Sequence, residues 1–409
     1  MKAGILTVGD ELLDGVRVDT NSVWLAQRLL ERGASIGIKA SVGDEVESIA
    51  AMLGSWDGEL DLVITTGGLG PTHDDVTIAA FCRYFQCGLE FDEDYWQELV
   101  TRFRKRGLDI ADNNRSQAEI PEKADALPNS VGTAPGLKFQ SPATTFYVVP
   151  GVPAEMKAIM TEHVLPTLDQ TGGVAWVTLH TTGVMESELA ARIHSLIEGN
   201  DGVRVAYLPG VTGVDIRLKG VAVGSEGREA VEGLAANLEA ELGQLVYGRD
   251  ETTLEAAVGR LLAERGESVA FAESCSGGLA MSRTADVPGA SAYLRGGVVA
   301  YSNEVKVAQL QVGEETLKTH GAVSEAVGRE MAEGVRSRFE ADWGVATTGI
   351  AGPGGGTAEK PVGLVFLAVA GPKRTVALEA RLIPERLAHK AASTQAALNL
   401  LRLELSDYD

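Results

Sequence analysis

Cysteine is scarce and odd in number. Cys82, Cys87 and Cys275 are the only three in 409 residues, so a disulfide framework is not the basis of the fold. Cys82 and Cys87 have C-x₄-C spacing without a second pair, and a structural zinc site is not expected. Basic charge is also short: 36 Lys and Arg against 57 Asp and Glu leave a net charge of −21. Broad binding to a nucleic-acid backbone needs clustered Lys and Arg, and so does an anionic membrane surface. Neither partner is expected. Small phosphorylated ligands remain admissible, because backbone N–H groups can hold them. No apolar run approaches the ~20 residues of a membrane span. Ala3–Val8 is too short for an export signal, and the expected location is the cytoplasm. Two common nucleotide fingerprints are missing too: there is no G-x-x-x-x-G-K-[ST], and no G-x-G-x-x-G after a strand.

The composition, 44% hydrophobic and 23% charged, is that of a globular protein, and the length asks for two or three domains. Residues 1–170 alternate strand and helix. Strands are expected at Gly4–Val8, Ile36–Val42, Leu60–Thr65 and Thr145–Val149. Helices are expected at Ser22–Arg32, Val46–Leu53 and from Ala154 to about Leu165. That alternation implies a parallel sheet with helical crossovers. Thr171-Gly172-Gly173 reads as a linker. Residues 171–249 read as strand, helix, strand, strand, helix, strand, a small α+β domain of two split βαβ units. Residues 250–409 are again α/β: a helix at Leu254–Arg265 closed by Gly266, a strand at Val269–Ala272, and later strands at Gly297–Tyr301, Val345–Thr348 and Val362–Val369. Further helices are expected at Ser324–Phe339 and Glu385–Arg402.

Two acidic, glycine-rich loops follow strands in the first region: Gly9-Asp10-Glu11-Leu12-Leu13-Asp14-Gly15, and Gly67-Gly68-Leu69-Gly70-Pro71-Thr72-His73-Asp74-Asp75. In an open parallel sheet both belong on the rim where ligands bind. Glycines let backbone N–H groups approach an anion. Carboxylates cannot hold a phosphate directly, but they can hold a hard divalent cation that does. The competing reading is that these acids only cap helices.

The last region carries the sharper signal. Glu273-Ser274-Cys275-Ser276-Gly277-Gly278 follows a strand and opens a helix, a place where a nucleophile is exposed beside N–H donors. Ser274 and Cys275 compete for that role, and a cysteine so placed is more often buried and inert. No histidine has a suggestive context; His320 and His389 read as ordinary surface or core residues. Tyr301-Ser302-Asn303-Glu304-Val305-Lys306 offers Lys306, which acts as a general base if desolvated, against the plainer reading of a solvated cation at a helix start. Thr347-Thr348-Gly349-Ile350-Ala351-Gly352-Pro353-Gly354-Gly355-Gly356 follows another strand and suits wrapping a nucleotide.

These motifs, with Asp19-Thr20-Asn21, Asn114-Arg115-x-Gln117-Ala118, Gly132-Thr133-Ala134-Pro135-Gly136, Pro150-Gly151-Val152-Pro153-x-Glu155-Met156 and Gly321-Ala322-Val323-Ser324-Glu325, resemble the competence/damage-inducible CinA family over nearly the whole chain. The resemblance implies a MoaB/MogA-like parallel-sheet domain, a KH-type α+β middle domain and a C-terminal α/β nicotinamide-nucleotide amidohydrolase domain. For the first it implies metal-dependent hydrolysis of ADP-ribose-type diphosphates. Asp10, Asp74, Asp75 and Glu155 would hold the divalent cation, and Gly67, Gly68 and Gly70 would offer N–H groups. Asn21, Thr72, Asn114 and Arg115 would bind the ligand. For the last it implies deamidation of nicotinamide mononucleotide to nicotinate mononucleotide and ammonia, with no cofactor. Ser274 would be the nucleophile, Lys306 its base and Tyr301 their hydrogen-bonding support. Ser276, Gly277, Gly278, Thr348 and Gly349 would contact substrate, and Arg386 its phosphate.

The middle region contains Gly210-Val211-Thr212-Gly213, of G-x-x-G form. It carries no cation, and from Gly172 to Arg249 six basic residues face ten acidic ones. A structural or dimerising role, in a homodimer, is expected there rather than RNA binding. Two rivals stand beside the bifunctional salvage enzyme: a molybdopterin-binding enzyme of cofactor biosynthesis, and a regulatory protein that senses a nucleotide without turnover.

Overall fold

The computed structural model describes residues 1–72, 75–105, 107, 109–168 and 173–407, without the side chains of residues 112 and 113. Asp74, and Thr171 and Gly172 of the linker, lie outside the described residues. Contacts divide the chain into two units, Met1–Ala175 with Ala222–Arg228, and Trp176–Val221 with Glu229–Asp409.

The first unit contains, in chain order, β1 (Lys2–Val8), α1 (Asp10–Leu13), α2 (Thr20–Glu31), β2 (Ser35–Val42), α3 (Val46–Trp56), β3 (Leu62–Thr66) and α4 (Thr77–Phe85). It continues with β4 (Leu89–Phe91), α5 (Glu93–Lys105), β5 (Glu119–Pro121), β6 (Ala124–Leu127), β7 (Gly136–Gln140), β8 (Thr145–Val149) and α6 (Pro153–Ile159). The main sheet has the order β2-β1-β3-β8-β7-β6. β2, β1, β3 and β8 are parallel; β7 and β6 are antiparallel additions. The reason is connection length: the few residues between Gln140 and Thr145 suffice for a hairpin but not for the crossover that parallel strands need. Alternate residues of β1 serve opposite faces, as a pleated strand requires. Leu6 and Val8 join a core with Ile49, Leu53 and Phe81, while Ala3 and Ile5 join one with Leu25, Leu29 and Met156. Helices therefore cover both faces. The carboxyl ends of β1, β3 and β8 come together at one edge.

In the rest of the chain, β9 (Val174–Thr181), α7 (Glu186–Ile197), β10 (Val203–Gly210), β11 (Gly213–Val223), α8 (Gly224–Leu242) and β12 (Val246–Arg249) come first. Their sheet has the order β10-β11-β9-β12. Gly210 and Gly213 face each other across the β10–β11 pair, so the G-x-x-G segment is a hairpin turn. The final region holds α9 (Leu254–Arg265), β13 (Val269–Glu273), α10 (Leu279–Ala285), β14 (Leu294–Val299), α11 (Asn303–Leu310), α12 (Glu314–His320) and α13 (Glu325–Arg338). It closes with β15 (Trp343–Gly349), β16 (Leu364–Ala370), β17 (Thr375–Arg381) and α14 (Arg386–Ser406). The sheet order is β14-β13-β15-β16-β17, with β14, β13 and β15 parallel and β16 and β17 antiparallel.

Local signals explain the helix ends. Thr253 accepts from Ala256 N to start α9, and Gly266 (φ +65°) ends it in the left-handed conformation. β13 splits its side chains as β1 does. Val269 and Phe271 pack with α9 and α14 residues such as Val258 and Leu401. Ala270 and Ala272 face Val327 and Met331 of α13. Phe271 is 1% exposed. No helix among the described residues is long and apolar enough to cross a membrane.

His180 ties β9 to its neighbours. Its Nδ1 lies 2.8 Å from Asp215 Oδ1 and its Nε2 2.5 Å from Asp250 O. Both partners are acceptors, so both ring nitrogens donate and the imidazolium is the fitting species. Burial alone would lower the His180 pKa, but the bonds to Asp250 and Asp215 outweigh it and raise the value. A raised folded-state pKa stabilises fully below the unfolded value of about 6.5 and ceases to do so as pH rises through the folded value. Urea unfolding of wild type and His180→Gln should therefore show a larger stability gap at about pH 6 than at about pH 9. An equal gap at both would mean the ring is neutral in the fold.

Candidate functional sites

In the first unit, a cavity of about 540 Å³ opens where the parallel strands end, the position expected for an open α/β sheet. Gly9 follows β1, Gly67 to Gly70 follow β3, and Pro150 and Gly151 follow β8; all line it. Gly67 has φ +111°, and a Cβ there would lie 2.2 Å from Val8 O, so no other residue fits. Thr77 Oγ1 donates to Gly67 O and secures that turn. Asn21 donates from Nδ2 to Gly151 O (2.8 Å) and Thr66 Oγ1 (3.2 Å), while its Oδ1 is buried without a partner. Gln117, 5% exposed, also lines the cavity with a partnerless Oε1.

The expected ligands of the cation are dispersed. Asp75 lines the cavity, yet its carboxylate accepts from Gly70 N (2.6 Å), Thr72 N (2.9 Å) and Thr72 Oγ1. Asp10 is outside the lining and exchanges backbone-to-carboxylate bonds with Asp44 (2.9 and 3.2 Å). Glu155 lines the cavity and accepts from Asn129 Nδ2 at 2.6 Å. No group of three or more His, Cys, Asp or Glu placed to hold a metal occurs among the described residues. Among the described residues the lining nonetheless contains Glu11, Asp19, Asp44, Asp75 and Glu155 against Arg17 as its one basic side chain. That acidic lining, with its oxygen donors, suits a hard cation. Arg115 is not in this wall: its guanidinium stacks 4.3 Å over Phe91 and 5.7 Å over Trp96. Thr72 serves its own loop through Asp75, and Asn114 donates to Ala111 O at 3.4 Å.

The second site forms at the end of β13. Ser274 N–H donates to Thr347 O at 2.9 Å, extending the β13–β15 pairing by one residue. Glu273, 1% exposed, folds its carboxylate into the following loop. It accepts from Ser276 Oγ (2.7 Å), Gly278 N (2.9 Å), Ala280 N (3.1 Å) and Met281 N (2.8 Å). Gly277 (φ +65°) and Gly278 (φ +92°) supply the left-handed turn that other residues resist.

Lys306 reaches this loop from α11. It is 1% exposed, and its Nζ lies 3.1 Å from Ser274 Oγ, 2.8 Å from Ala300 O and 3.4 Å from Tyr301 O. Nζ donates to both carbonyls and to the serine oxygen, which places the amine within proton-transfer reach of the Ser274 hydroxyl. Desolvation lowers the Lys306 pKa from its ordinary value. Cys275 is 9% exposed, and burial pushes its thiol up to about 11, which leaves little thiolate near neutrality.

Two residues expected to contact substrate, Ser276 and Thr348, and one expected to support the catalytic pair, Tyr301, bond instead to other groups of the protein. Ser276 is fully buried, its hydroxyl joined to Glu273 and to Thr347 Oγ1 (2.6 Å). Thr348, 1% exposed, donates from Oγ1 to Ala322 O at 2.7 Å. The exposed Tyr301 hydroxyl accepts from Arg386 Nη2 at 2.9 Å, so Tyr301 meets Lys306 only through its carbonyl. Arg386 also donates to Gly352 O at 3.1 Å, which pins the glycine loop after β15. Gly349 ends β15, where a Cβ would lie 2.8 Å from Leu364 O.

The profile described as the CinA C-terminal domain matches residues 251–405, the probable molybdopterin binding domain residues 4–170, and the damage-inducible protein CinA KH domain residues 177–248. A CinA-like protein of Gloeobacter violaceus is 41% identical over 418 residues, covering 100% of this chain and 97% of that protein. Another from a Synechococcus strain is 45% identical over 376 residues, covering 90% and 89%. The chain belongs to the CinA family. A solved structure described as competence/damage inducible protein CihA from Agrobacterium tumefaciens is 41% identical and covers 37% of this chain and 93% of that one, with a TM-score of 0.37.

In this CinA-family chain the sequence reading did not single out Glu273 as the loop's organiser, nor Gln117 and Asp44 as cavity residues. Glu273 stands beside Ser274 in the motif, but only the fold shows it turning inward; Asp44 has no local signal at all. Removing the Glu273 carboxylate takes the acceptor from three backbone N–H groups, those of Gly278, Ala280 and Met281, and one of two partners from the Ser276 hydroxyl. Glu273→Ala should destabilise the C-terminal region by about 3 kcal/mol, read as a lower urea midpoint at unchanged slope. A loss under about 1 kcal/mol would show that water replaces the carboxylate.

Proposed function

We propose that the C-terminal region hydrolyses the carboxamide of nicotinamide mononucleotide, giving nicotinate mononucleotide and ammonia. One observation carries this reading: a buried lysine amine 3.1 Å from a serine hydroxyl just past the end of β13. Lys306 takes the Ser274 proton as Oγ bonds to the carboxamide carbon, and N–H groups of the Gly277 and Gly349 loops receive the oxyanion. The C–N bond then breaks, the Lys306 proton leaves with ammonia, and an ester remains on Ser274. Water, deprotonated by Lys306, attacks that ester, and the proton returns to Ser274 Oγ. The three hydrogen-bonding positions of Nζ match this shuttle.

Ammonia release from nicotinamide mononucleotide should vanish in Ser274→Ala and in Lys306→Met and survive in Cys275→Ala. Full turnover by Ser274→Ala with a dead Cys275→Ala would reverse the nucleophile assignment. Because the working form of Lys306 is the free amine, kcat should fall as pH drops through its pKa, and burial shifts that limb toward neutrality. A profile flat from about pH 5 to 9 would exclude a lysine base.

For the N-terminal cavity we infer a nucleoside-diphosphate ligand of the ADP-ribose type. Glu155 and Asp75, the expected acids that line the cavity, would each offer an oxygen to a magnesium-like cation, with phosphate and water completing its shell, and the cation would supply charge neutralisation at the diphosphate. Gly67, Gly68 and Gly70 would offer N–H groups, and Asn21 Oδ1 and Gln117 Oε1 would accept from hydroxyl or amino groups. ADP-ribose hydrolysis should need added divalent cation and fall at least tenfold in Glu155→Gln, the order of one charge-assisted contact. A melting shift with molybdopterin but none with ADP-ribose and metal would favour the cofactor-biosynthesis reading instead.

A further inference from the structure

Cys82 and Cys87 close the carboxyl end of α4 together. Gln86, which follows the helix, is left-handed (φ +52°), and Cys87 N–H donates back across it to Cys82 O at 3.1 Å. A helix that ends this way brings the side chains at the two ends of that bond against each other. Here both are thiols, and they are hydrogen-bond partners. Both are free and half-buried. Cys87 packs against the core that holds Phe81 and Phe139, while Gln86 and Gly88 on either side of it are exposed. The sulfurs are thus placed by packing and still open to a small reagent. A disulfide needs Cα atoms about 4.4–6.8 Å apart and side chains that point together. The backbone bond between the two residues meets the first need, and the thiol contact meets the second.

We propose that Cys82 and Cys87 are a redox-active dithiol that closes reversibly to an intramolecular disulfide by exchange with a small-molecule disulfide of the glutathione type. Burial, and after it the neighbouring Cys87, push the Cys82 thiol up to about 12, so Cys87 opens the exchange. Its thiolate attacks one sulfur of the small disulfide, forms a mixed disulfide and expels one small thiolate. Cys87 then no longer opposes ionisation of Cys82. The Cys82 thiolate attacks the Cys87 sulfur and expels the second small thiolate. Two protein thiols are oxidised, one small disulfide is reduced, and the two protons end on the two small thiols. The link ties off the end of α4 opposite Thr77, whose hydroxyl holds the Gly67 turn. Neither cysteine lines the N-terminal cavity, and the pair is independent of both hydrolase readings.

The test uses the full chain, reduced and then exposed to excess oxidised glutathione. Cys275 should remain as its one free thiol, and the intact mass should fall by two hydrogens with no glutathione retained. Trypsin cuts after Arg83, between the two cysteines, so the oxidised chain should yield two fragments joined through Cys82 and Cys87 that dithiothreitol separates. Cys82→Ser should instead stop at one glutathione held on Cys87. At a fixed ratio of reduced to oxidised glutathione, the folded chain should favour the disulfide at least about tenfold over the chain unfolded in urea, because the fold holds the sulfurs together. Equal constants in the two states would overturn the proposal. So would glutathione retained on the wild type, a disulfide between two chains, or a Cys82→Ser chain that takes up none.

Discussion

An amine held at 1% exposure among two carbonyl oxygens and one hydroxyl is the constraint on which the C-terminal half depends. Burying an ammonium without a carboxylate partner is unfavourable by several kcal/mol, and proteins relieve that by neutralising the group. The surrounding structure makes the neutral form useful. Ser302 caps α11 and sets where Lys306 enters. Ala300 N–H donates to Glu273 O, so the carbonyl that holds the amine and the strand that carries the nucleophile are one hydrogen-bonded assembly.

Glu273 completes that assembly from the other side. Its carboxylate consumes Gly278, Ala280 and Met281 N–H groups and the Ser276 hydroxyl, which shapes the loop around Ser274 rather than leaving α10 to cap itself with solvent. Ser276 and Thr347 join hydroxyl to hydroxyl beneath it. Ser274 thus stands on a hydrogen-bonded base whose one carboxylate is turned inward and satisfied. The cation near the mouth, Arg386, comes from a different helix, α14, and is held by Gly352 O and the Tyr301 hydroxyl.

Much of this was legible in the residues. The period-two strands at β1, β8 and β13 and the Thr253-to-Gly266 bracket of α9 follow from side-chain pattern and caps, and the structure shows them nearly where expected. The antiparallel β6, β7, β16 and β17 were not, because chain direction is set by connection length and tertiary pairing rather than by strand pattern. The pairing of Ser274 with Lys306 was named from motifs, but the short polar side chains around it misled. Ser276 and Thr348 look like substrate contacts in a motif, and Tyr301 like a support for the catalytic pair; folded, the first two hydroxyls are buried on protein partners and the third is drawn to Arg386. A motif reports which groups are near one another and not which way each donor points.

The N-terminal cavity shows the same limit more severely. Its glycines are dictated by backbone approach, as the 2.2 Å clearance at Gly67 demonstrates, and that much can be inferred from a glycine cluster after a strand. Its acids cannot be sorted from sequence. Asp10 and Asp44 bind each other's backbone, and Asp75 holds its own loop. Glu155 sits against Asn129, packed so closely on Gly132 that a Cβ there would lie 2.0 Å from the carboxyl group. Carboxylates that first organise loops can still complete a cation's shell together with phosphate oxygens and water, since a magnesium-like ion asks for only one or two protein ligands when the substrate supplies the rest. On that argument a cation and a diphosphate would bind this cavity better together than either would alone, because each would complete what the other lacks there.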